Sequence, residues 1–564
     1  MTQLHRPRTL VRFARTFAIT IACPVWFAAC SKAPDAVAPP AITAKPAIGA
    51  SAAPAAVHWL KPEGASLDAI FAKAKADNKP VLLYWGAVWC PPCNQIKATV
   101  FNRPDFIEKS RAFVPVYLDG DTPGAQKLAA HFKARGYPTT ILFKPDGTEL
   151  TRLPGEVDAA QFMQLLSLGL ASAQGIKETL TAALVGAGGT TPALSAEAWR
   201  LLAFYSWDTD EAQLVPKKQL ASTVLQLAQK CPPQFQEAAS RLTLKATAIA
   251  AQDKARVLIQ NAPGLDQKAP GLNKAQTLAT AQSVLADAAR SRDHVDILTF
   301  YANDIVAAIT SKDSPERGAL LALWNTALER LAGDTSLSKA DQLNAVQAKL
   351  ALTEIDAPSA AKVPRTPELV ALARAAATKA DKTTTDKYER QAVIPSAAHL
   401  LSDVGLIDES DAMLQAELPH AVSPYYHMLV LASNAKKRGD LTASLDWSEK
   451  AYAGSVGPAT RLQWGSGYVA KLVELSPKDS ARIEKAAAQV ISELDAAPET
   501  FYERNRRSLE KMAKQLESWS QKNQQNSVLK KLTAQLDVVC AKLPAQDSAR
   551  EACAGVFGQA GKKA

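Results

Sequence analysis

The first third of the chain combines short apolar runs with apolar positions at helical spacing. The run Pro80–Trp85 is suited to a buried central strand, because it is brief, continuous and rich in β-formers. Ser66 precedes a helical pattern and is a good N-cap. Asp146-Gly147 marks a hairpin turn. The pattern predicts strands at 80–85, 113–118, 136–143 and 149–153, and helices at 66–74, from Cys90, and at 124–134 and 158–170.

From about residue 194 to 564 the chain is rich in Ala, Leu, Lys and Gln at helical spacing, without convincing strand runs. A glycine-rich break at 186–192 lies in a predicted linker region, 173–193. It lacks the G-x-G-x-x-G pattern of a nucleotide loop. The expected architecture is an α/β domain at 58–172, followed by a large all-α domain. The amphipathic tracts in this second domain include 221–229, 320–332 and 506–521.

A spacing of 34 residues recurs inside the helical part. It relates Gly405 to Gly439 and Ser410 to Ser444, and in each copy a glycine closes one helix before a second helix begins. The pattern resembles degenerate tetratricopeptide-type helix pairs, but the register is lost at Val473. Stacked pairs would offer a concave surface to a protein partner. A helical bundle that serves only as a spacer is the alternative.

The amino terminus reads as an export signal over residues 1–29, with a basic start and an uncharged stretch after it. The signal ends in Phe-Ala-Ala-Cys, which resembles the lipobox of bacterial lipoproteins and makes Cys30 the expected lipidation site. An ordinary secretory signal cut near Ala29 is the alternative. Ala and Pro dominate 30–57, as in a partly stiff tether. Both interpretations place the mature protein in the cell envelope. By resemblance to enterobacterial lipoprotein sorting, Ser31 after Cys30 favours the outer membrane, and a soluble periplasmic protein is the alternative.

The formal net charge of +10 overstates how basic the mature protein is, since four of the arginines lie in the predicted signal. Lys and Arg are interleaved with Asp and Glu, and no basic block occurs. The composition therefore predicts no nucleic-acid partner.

Two of the seven cysteines, Cys90 and Cys93, form a C-x-x-C pair directly after the central strand. A zinc site needs four ligands, and no histidine follows the pair at a finger-like spacing, so no metal is expected. A sulfur at a helix N-terminus meets the positive end of the helix dipole, which favours the reactive thiolate. Pro91 and Pro92 suit the first turn, where a missing N–H costs least, and regular helix is expected from Pro92.

The order βαβαββα around Cys90-Pro-Pro-Cys93 resembles the thioredoxin fold. Trp85 and Trp89 match the family's tryptophans before the motif, and Gly155 matches its late glycine. Pro138 matches its cis-proline. The segment is most similar to periplasmic thioredoxin-like reductases, such as the C-terminal domain of the membrane disulfide reductase.

The resemblance assigns roles to these residues. Cys90 would be the exposed nucleophile and Cys93 the resolving thiol, with no cofactor beyond their disulfide. Trp89 would cover the pair. Tyr137 and a cis Pro138 would position the substrate backbone. Pro91, Pro92, Trp85 and Tyr84 would support the site.

Two positions depart from the family. Its buried aspartate is replaced by Tyr84, and the lysine partner of that aspartate by Pro115. Tyrosine is a poor carboxylate substitute at neutral pH, so Cys93 must lose its proton to water or to another base.

The expected function is a thiol–disulfide oxidoreductase of the envelope. A reductase is favoured, because the two prolines donate no N–H to a thiolate. An oxidase and a chaperone-like isomerase remain open, as does a helical scaffold that uses the redox domain only for docking. The expected partners are exported proteins with cysteines or disulfides, an unidentified redox donor or acceptor, the membrane through the N-terminal lipid, and a protein on the helical region.

The remaining cysteines have structural interpretations. Cys540 and Cys553 flank a helix–Pro–helix hairpin and are positioned for a stapling disulfide. Cys231 lacks a nearby second cysteine and is expected to be a partly buried thiol.

Overall fold

The computed structural model describes residues 56–62, 66–122, 124–185, 193–210, 213–260, 273–357, 365–494 and 497–558. The predicted signal, Cys30, most of the tether and the glycine-rich break at 186–192 lie outside these residues. Below, the helical region means the described residues from 193 to 558.

A four-stranded mixed sheet organises the first part of the chain. Its strands are β1 (Val81–Gly86), β2 (Val114–Asp119), β3 (Thr139–Phe143) and β4 (Glu149–Leu153). Their order across the sheet is β2-β1-β3-β4. β1 pairs parallel with β2 and antiparallel with β3, and β3 pairs antiparallel with β4. The predicted central strand is confirmed, since every residue of β1 is buried.

Helices flank this sheet in the predicted order. Ser66 and Asp158 cap the first and last of them through backbone N–H groups. The third predicted helix stops short of 134, because Lys133 has a left-handed φ of 50°. The helical segments are Leu67–Ala76, Pro91–Ile96, a π turn at Lys97–Phe101, Pro104–Lys109, a 3-10 turn at Ser110–Ala112, Ala125–His131 and Ala159–Ala171.

The two faces of the sheet belong to different cores. Along β1, Val81, Leu83 and Trp85 pack in a core confined to the α/β domain. Leu82 and Tyr84 point to the opposite face, because side chains alternate along a strand. The core on that face is continuous with the core of the helical region. The helical region therefore packs on the same face of the sheet as the cysteine pair, which belongs to this shared core.

The remainder of the described chain is helical, as predicted. One helix, Ile176–Val185, precedes the gap at 186–192. The helices of the helical region are Ala196–Ala203, Leu220–Lys230, Gln236–Gln260, Lys274–Ala286, Ala288–Asp293, Val295–Phe300, Ala302–Ile309, Pro315–Gly333, Lys339–Leu352, Pro367–Thr383, Lys387–Asp403, Ile407–Glu417, Pro424–Arg438, Leu441–Ala453, Pro458–Leu475, Ser480–Ser492, Glu503–Asn523, Asn526–Ala541 and Ser548–Ala554. No helix within the described ranges is both long enough and apolar enough to cross a bilayer.

The 34-residue spacing corresponds to a repeated structural unit. Gly405 and Gly439 both have left-handed φ angles, of 90° and 83°, at helix ends. The Ser410 hydroxyl donates to the Ala398 carbonyl at 2.7 Å. Exactly 34 residues later, the Ser444 hydroxyl donates to the carbonyl of Ala432 at 2.8 Å. The same hydrogen bond thus ties together the two helices of each pair.

Candidate functional site

The cysteine pair lies at the start of the helix that follows β1. Cys90 is the N-cap of Pro91–Ile96, and it is joined to Cys93 by a disulfide with a Cα–Cα distance of 5.2 Å. The Cys90 Sγ accepts the Cys93 N–H at 3.2 Å. The sulfur therefore occupies the position where a helix N-terminus stabilises negative charge.

The helix begins at Pro91, so the predicted start at Pro92 is wrong by one residue. Both prolines fall in the first turn, where their missing N–H groups have no intrahelical acceptor to lose. The Asn94 N–H donates to the Cys90 carbonyl at 3.0 Å and closes the turn around them.

Cys90 is not exposed, and the prediction of an exposed nucleophile is wrong. Cys90 has 2% of its surface accessible to solvent, and Cys93 has none. Sequence reasoning could not anticipate this burial, because the covering groups come from the distant helical region.

Trp89 is the centre of this cover. Its indole N–H donates to the Thr460 hydroxyl at 2.9 Å. Trp464 meets the ring edge-to-face at a centroid distance of 4.7 Å, and Tyr426 stacks on it at 6.0 Å. The Arg504 guanidinium lies 5.1 Å from the ring centroid. Trp89 does cover the pair, but it is itself held down by three helices of the helical region.

Asp121 extends this contact. Its carboxylate accepts the backbone N–H of Thr460 at 2.5 Å and also accepts the Thr460 hydroxyl. Thr460 is the third residue of Pro458–Leu475, so Asp121 caps that helix from another part of the chain. Gly457 precedes the helix with a φ of 91°, and a Cβ there would lie 2.6 Å from the Asp121 Cγ. We call this linkage the Asp121–Thr460–Trp89 chain.

The pKa of Asp121 reflects two opposing influences. Burial raises it to about 6, while the two hydrogen bonds from Thr460 oppose the shift.

Tyr84 sits under Cys93. Its hydroxyl donates to the Cys93 carbonyl at 3.4 Å, and its ring stacks on Tyr117 at 5.4 Å. A Cβ at Gly86 would lie 2.7 Å from the Tyr84 hydroxyl and 3.3 Å from the Cys93 Sγ, so both groups border the same small space. Burial, with a contribution from Asp119, raises the pKa of Tyr84 far above its ordinary value. Tyr84 is therefore a hydrogen-bond donor beside the pair and not a base.

Pro115 does not lie opposite Tyr84. It pairs with Leu82, and Tyr117 occupies the position across from Tyr84. A lysine does approach this cluster, because Lys97 places its Nζ 5.4 Å from the Tyr117 ring. Burial lowers the pKa of Lys97, although Asp119 opposes the shift. Its spacing of one helical turn from Cys93 was the only sequence signal for it.

Tyr137 and Pro138 lie near the Cys-Pro-Pro-Cys segment, since Tyr137 packs on Trp89 and Pro138 lines the same pocket as Pro92. Their peptide bond is cis. The Tyr137 ring packs 4.4 Å from Trp85 and 5.8 Å from Trp89. Its hydroxyl accepts the Gln126 amide at 2.9 Å. A Cβ at Gly155 would come within 2.7 Å of the Pro138 Cγ, so this position has no room for a side chain.

Comparison with known proteins agrees with this geometry. The family model described as a thioredoxin-like domain matches residues 67–169. Residues 67–169 form a thioredoxin-like domain. The chain is 34% identical over 104 residues to the thiol:disulfide interchange protein DsbD of Pseudomonas fluorescens, with 18% of each chain covered. It is 35% identical over 103 residues to the thiol:disulfide interchange protein DsbD 2 of Pseudomonas aeruginosa, again with 18% of each chain covered.

The chain therefore spans about 18% of the length of these curated relatives. A solved structure entitled DsbH Oxidoreductase overlaps 22% of this chain and 90% of its own, at 19% identity and a TM-score of 0.20.

A pocket opens where the thioredoxin-like domain meets the helical region. We call it the seam pocket, and its volume is about 80 Å³. One wall carries Pro92, Pro138 and Glu156, and the other carries Tyr205, Arg241 and Lys245. Pro92, between the two cysteines, is exposed, unlike Cys90 and Cys93. The seam pocket thus reaches the one exposed residue of the Cys-Pro-Pro-Cys segment.

Two ion pairs line the wall of the seam pocket that the helical region forms. Arg241 Nη1 donates to Asp296 at 2.9 Å, and both side chains are 4% accessible. Lys245 pairs with Asp208 and also donates to the Tyr301 hydroxyl at 2.9 Å. Each cation is therefore matched by one carboxylate.

Glu156, on the opposite wall, has no such match. Within the described ranges, none of the hydrogen bonds or ion pairs engages its carboxyl. Although part of the residue is accessible within the pocket, the surrounding protein raises the pKa of Glu156 to about 7 through burial, and Lys245 only partly offsets this. Sequence reasoning missed Glu156, since a single glutamate in a loop carries no signal of its own.

The other cysteines lie apart from this site. Cys540 and Cys553 form a disulfide between Asn526–Ala541 and Ser548–Ala554. Cys231 is buried and free, and burial raises the pKa of its thiol to about 12. A thiol of that acidity is protonated at neutral pH and is a weak nucleophile.

Proposed function

We propose that this protein is a thiol–disulfide oxidoreductase that uses Cys90 as nucleophile and Cys93 as resolving thiol. The observation that carries the proposal is the position of the Cys90 Sγ, which accepts the Cys93 N–H at a helix N-terminus. That contact stabilises a Cys90 thiolate and keeps the second sulfur within exchange distance. The names of the matched relatives, which specify thiol:disulfide interchange, support it.

The exchange proceeds in two balanced steps. The Cys90 thiolate attacks one sulfur of a substrate disulfide, so a Cys90–substrate bond forms as the substrate S–S bond breaks and one substrate thiolate leaves. Cys93 then loses its proton to solvent or another base and attacks the Cys90 sulfur. The second substrate thiolate leaves, and two electrons have moved from the dithiol to the substrate. Tyr84, which stays protonated, donates its hydroxyl to the Cys93 carbonyl and so helps to hold Cys93 in place.

The favoured direction is reduction. Pro91 and Pro92 contribute no N–H between the cysteines, and burial of Cys90 further disfavours its thiolate. A less stabilised thiolate makes the dithiol a better reductant. The reduction potential tests this direction, and a value near −120 mV, typical of strong periplasmic oxidants, would reverse it.

The proposed setting is the periplasmic side of the cell envelope. The signal-like residues 1–29 and the lipobox-like ending at Cys30 support export and lipid attachment. The proposed substrates are exported proteins with cysteines or disulfides, and a separate redox partner would restore the dithiol. Radiolabelled palmitate incorporation into the wild type, but not into Cys30→Ala, tests the anchor.

Trapping tests the activity. Cys93→Ser should accumulate mixed disulfides with envelope proteins, because the resolving step is blocked after Cys90 has reacted. Cys90→Ser should accumulate none. Identical adduct patterns from the two variants would contradict the assigned roles.

A second candidate is a helical scaffold to which the redox domain merely docks. The Asp121–Thr460–Trp89 chain favours it, since it fastens the helical region over the cysteine pair. The same trapping experiment separates the candidates, because a scaffold yields no adduct specific to Cys93→Ser.

A further inference from the structure

The disulfide has two flanks with different surroundings. On the Trp89 flank, Thr460, Trp464 and Arg504 close the surface. On the Pro92 flank, the seam pocket remains open and leads between the thioredoxin-like domain and the helical region. The seam pocket is therefore the open approach to the Pro92 side of the disulfide.

The size of the seam pocket restricts what can enter. A volume of about 80 Å³ accommodates a few water molecules or part of one side chain. A helix is about 10 Å across, so it does not fit, whereas an extended chain presents single side chains. The accessible disulfide must consequently lie in an extended segment.

The charges of the seam pocket select among such segments. Arg241 and Lys245 are already paired with Asp296 and Asp208. These four groups are the charged neighbours that face Glu156. With the two pairs neutralised, the carboxylate of Glu156 is left over, and a nearby cation stabilises the charged form of such a carboxylate.

We propose that the seam pocket is the substrate entrance and that Glu156 is its specificity-determining residue. The occupant is an extended, disulfide-bearing polypeptide segment with a Lys or Arg next to its cysteine. The cation pairs with Glu156, which is an exposed residue, and only the cysteine side chain enters the pocket past Pro92 and Pro138 towards Cys90. This inference rests on the proposed oxidoreductase function and adds a substrate class to it.

The selection depends on pH. Because the pKa of Glu156 is about 7, the group is largely neutral at pH 6 and largely charged at pH 8. Asp208, Asp296, Arg241 and Lys245, which face Glu156, are held in two ion pairs with one another. The preference for a cationic segment is therefore expected to grow as the pH rises through 7.

The test compares two short disulfide-linked peptides, one with Lys and one with Glu next to the cysteine. The reduced full chain is mixed with each peptide, and the rate of Cys90–Cys93 oxidation is followed. Each rate is divided by that peptide's rate with dithiothreitol, which removes differences in intrinsic reactivity. The expected normalised preference for the Lys peptide is about fivefold or more at pH 8 and falls towards one at pH 6.

Glu156→Gln should abolish the preference at pH 8, because it keeps the shape and removes the charge. The matched control is Glu551→Gln, which removes an exposed glutamate outside the seam pocket and should retain the preference. Equal normalised rates for both peptides in the wild type at pH 8 would overturn the inference and leave the oxidoreductase function standing. If the dithiol exchanged with neither peptide and also failed to exchange with neutral dithiodipyridine, the proposed function itself would be overturned.

Discussion

The Trp89 indole N–H donates to the Thr460 hydroxyl at 2.9 Å, although 371 residues separate them in the chain. This bond connects the loop before the cysteine pair to the third residue of a helix in the helical region. Since Asp121 caps the same helix, the helical region is fastened to the rim of the redox site at two adjacent points. The cysteine pair and its cover thus form one structural unit.

Removing the Thr460 hydroxyl should loosen that cover. In Thr460→Val the buried Trp89 indole loses its acceptor, which costs about 1–3 kcal/mol. Alkylation of Cys90 in the reduced protein should become about fivefold faster or more, as measured by mass spectrometry over time.

The control for this variant is Thr326→Val. The Thr326 hydroxyl is exposed and bonds only within its own helix. Equal alkylation rates in the two variants would show that the Trp89–Thr460 bond does not restrict access to Cys90.

Asp121 should make stability depend on pH. Its folded pKa of about 6 lies above an unfolded value of about 3.9, so the folded protein binds the proton more tightly. The resulting stabilisation is complete below about pH 4 and is lost as the pH rises through 6. Relative to Asp121→Asn, the wild type should lose up to about 3 kcal/mol of unfolding free energy over this window, measured by urea titration.

Asp537→Asn, an exposed substitution in Asn526–Ala541, is the reference for this pH series. Its urea curve should parallel that of the wild type throughout. If Asp121→Asn behaved in the same way, the raised pKa of Asp121 would be refuted.

The Arg241–Asp296 pair should be indispensable to the wall of the seam pocket. Both side chains are 4% accessible, and the guanidinium also lies 3.8 Å from the centroid of the Phe204 ring. Asp296→Asn leaves a buried guanidinium without its countercharge, which is expected to cost about 3–5 kcal/mol in urea unfolding.

An exposed pair provides the contrast. Arg374 and Glu409 are also in ion contact, but their side chains are 48% and 46% accessible. Glu409→Gln should cost less than about 1 kcal/mol, because solvent screens this pair. Comparable losses of unfolding free energy at the two sites would mean that burial does not strengthen the Arg241–Asp296 pair.

The Cys540–Cys553 disulfide should stabilise the C-terminal hairpin. It closes a loop with a sequence separation of 13, for which chain entropy predicts about 3 kcal/mol. The double variant Cys540→Ala with Cys553→Ala should melt at a lower temperature by calorimetry. A melting temperature equal to that of the wild type would contradict a stapling role.

The sequence was most informative where the signal is local. A continuous apolar run predicts a buried strand, and β1 is one. A capping residue predicts a helix start, and Ser66 caps its helix. The C-x-x-C pair after a strand, with proline in the first turn, predicts a sulfur at a helix N-terminus, where Cys90 lies. Positions 34 residues apart predicted the helix pairs closed by Gly405 and Gly439.

The tertiary structure alone decided how the cysteine pair meets its surroundings. Thr460, Trp464 and Arg504 cover Trp89, the neighbour of Cys90, and Arg241, Lys245 and their partners form the environment of Glu156. These contacts span tens to hundreds of residues, and no periodicity or short motif encodes them. Local sequence determines backbone conformation because it acts through neighbouring side chains and caps, whereas accessibility and pKa depend on whatever the folded chain packs nearby.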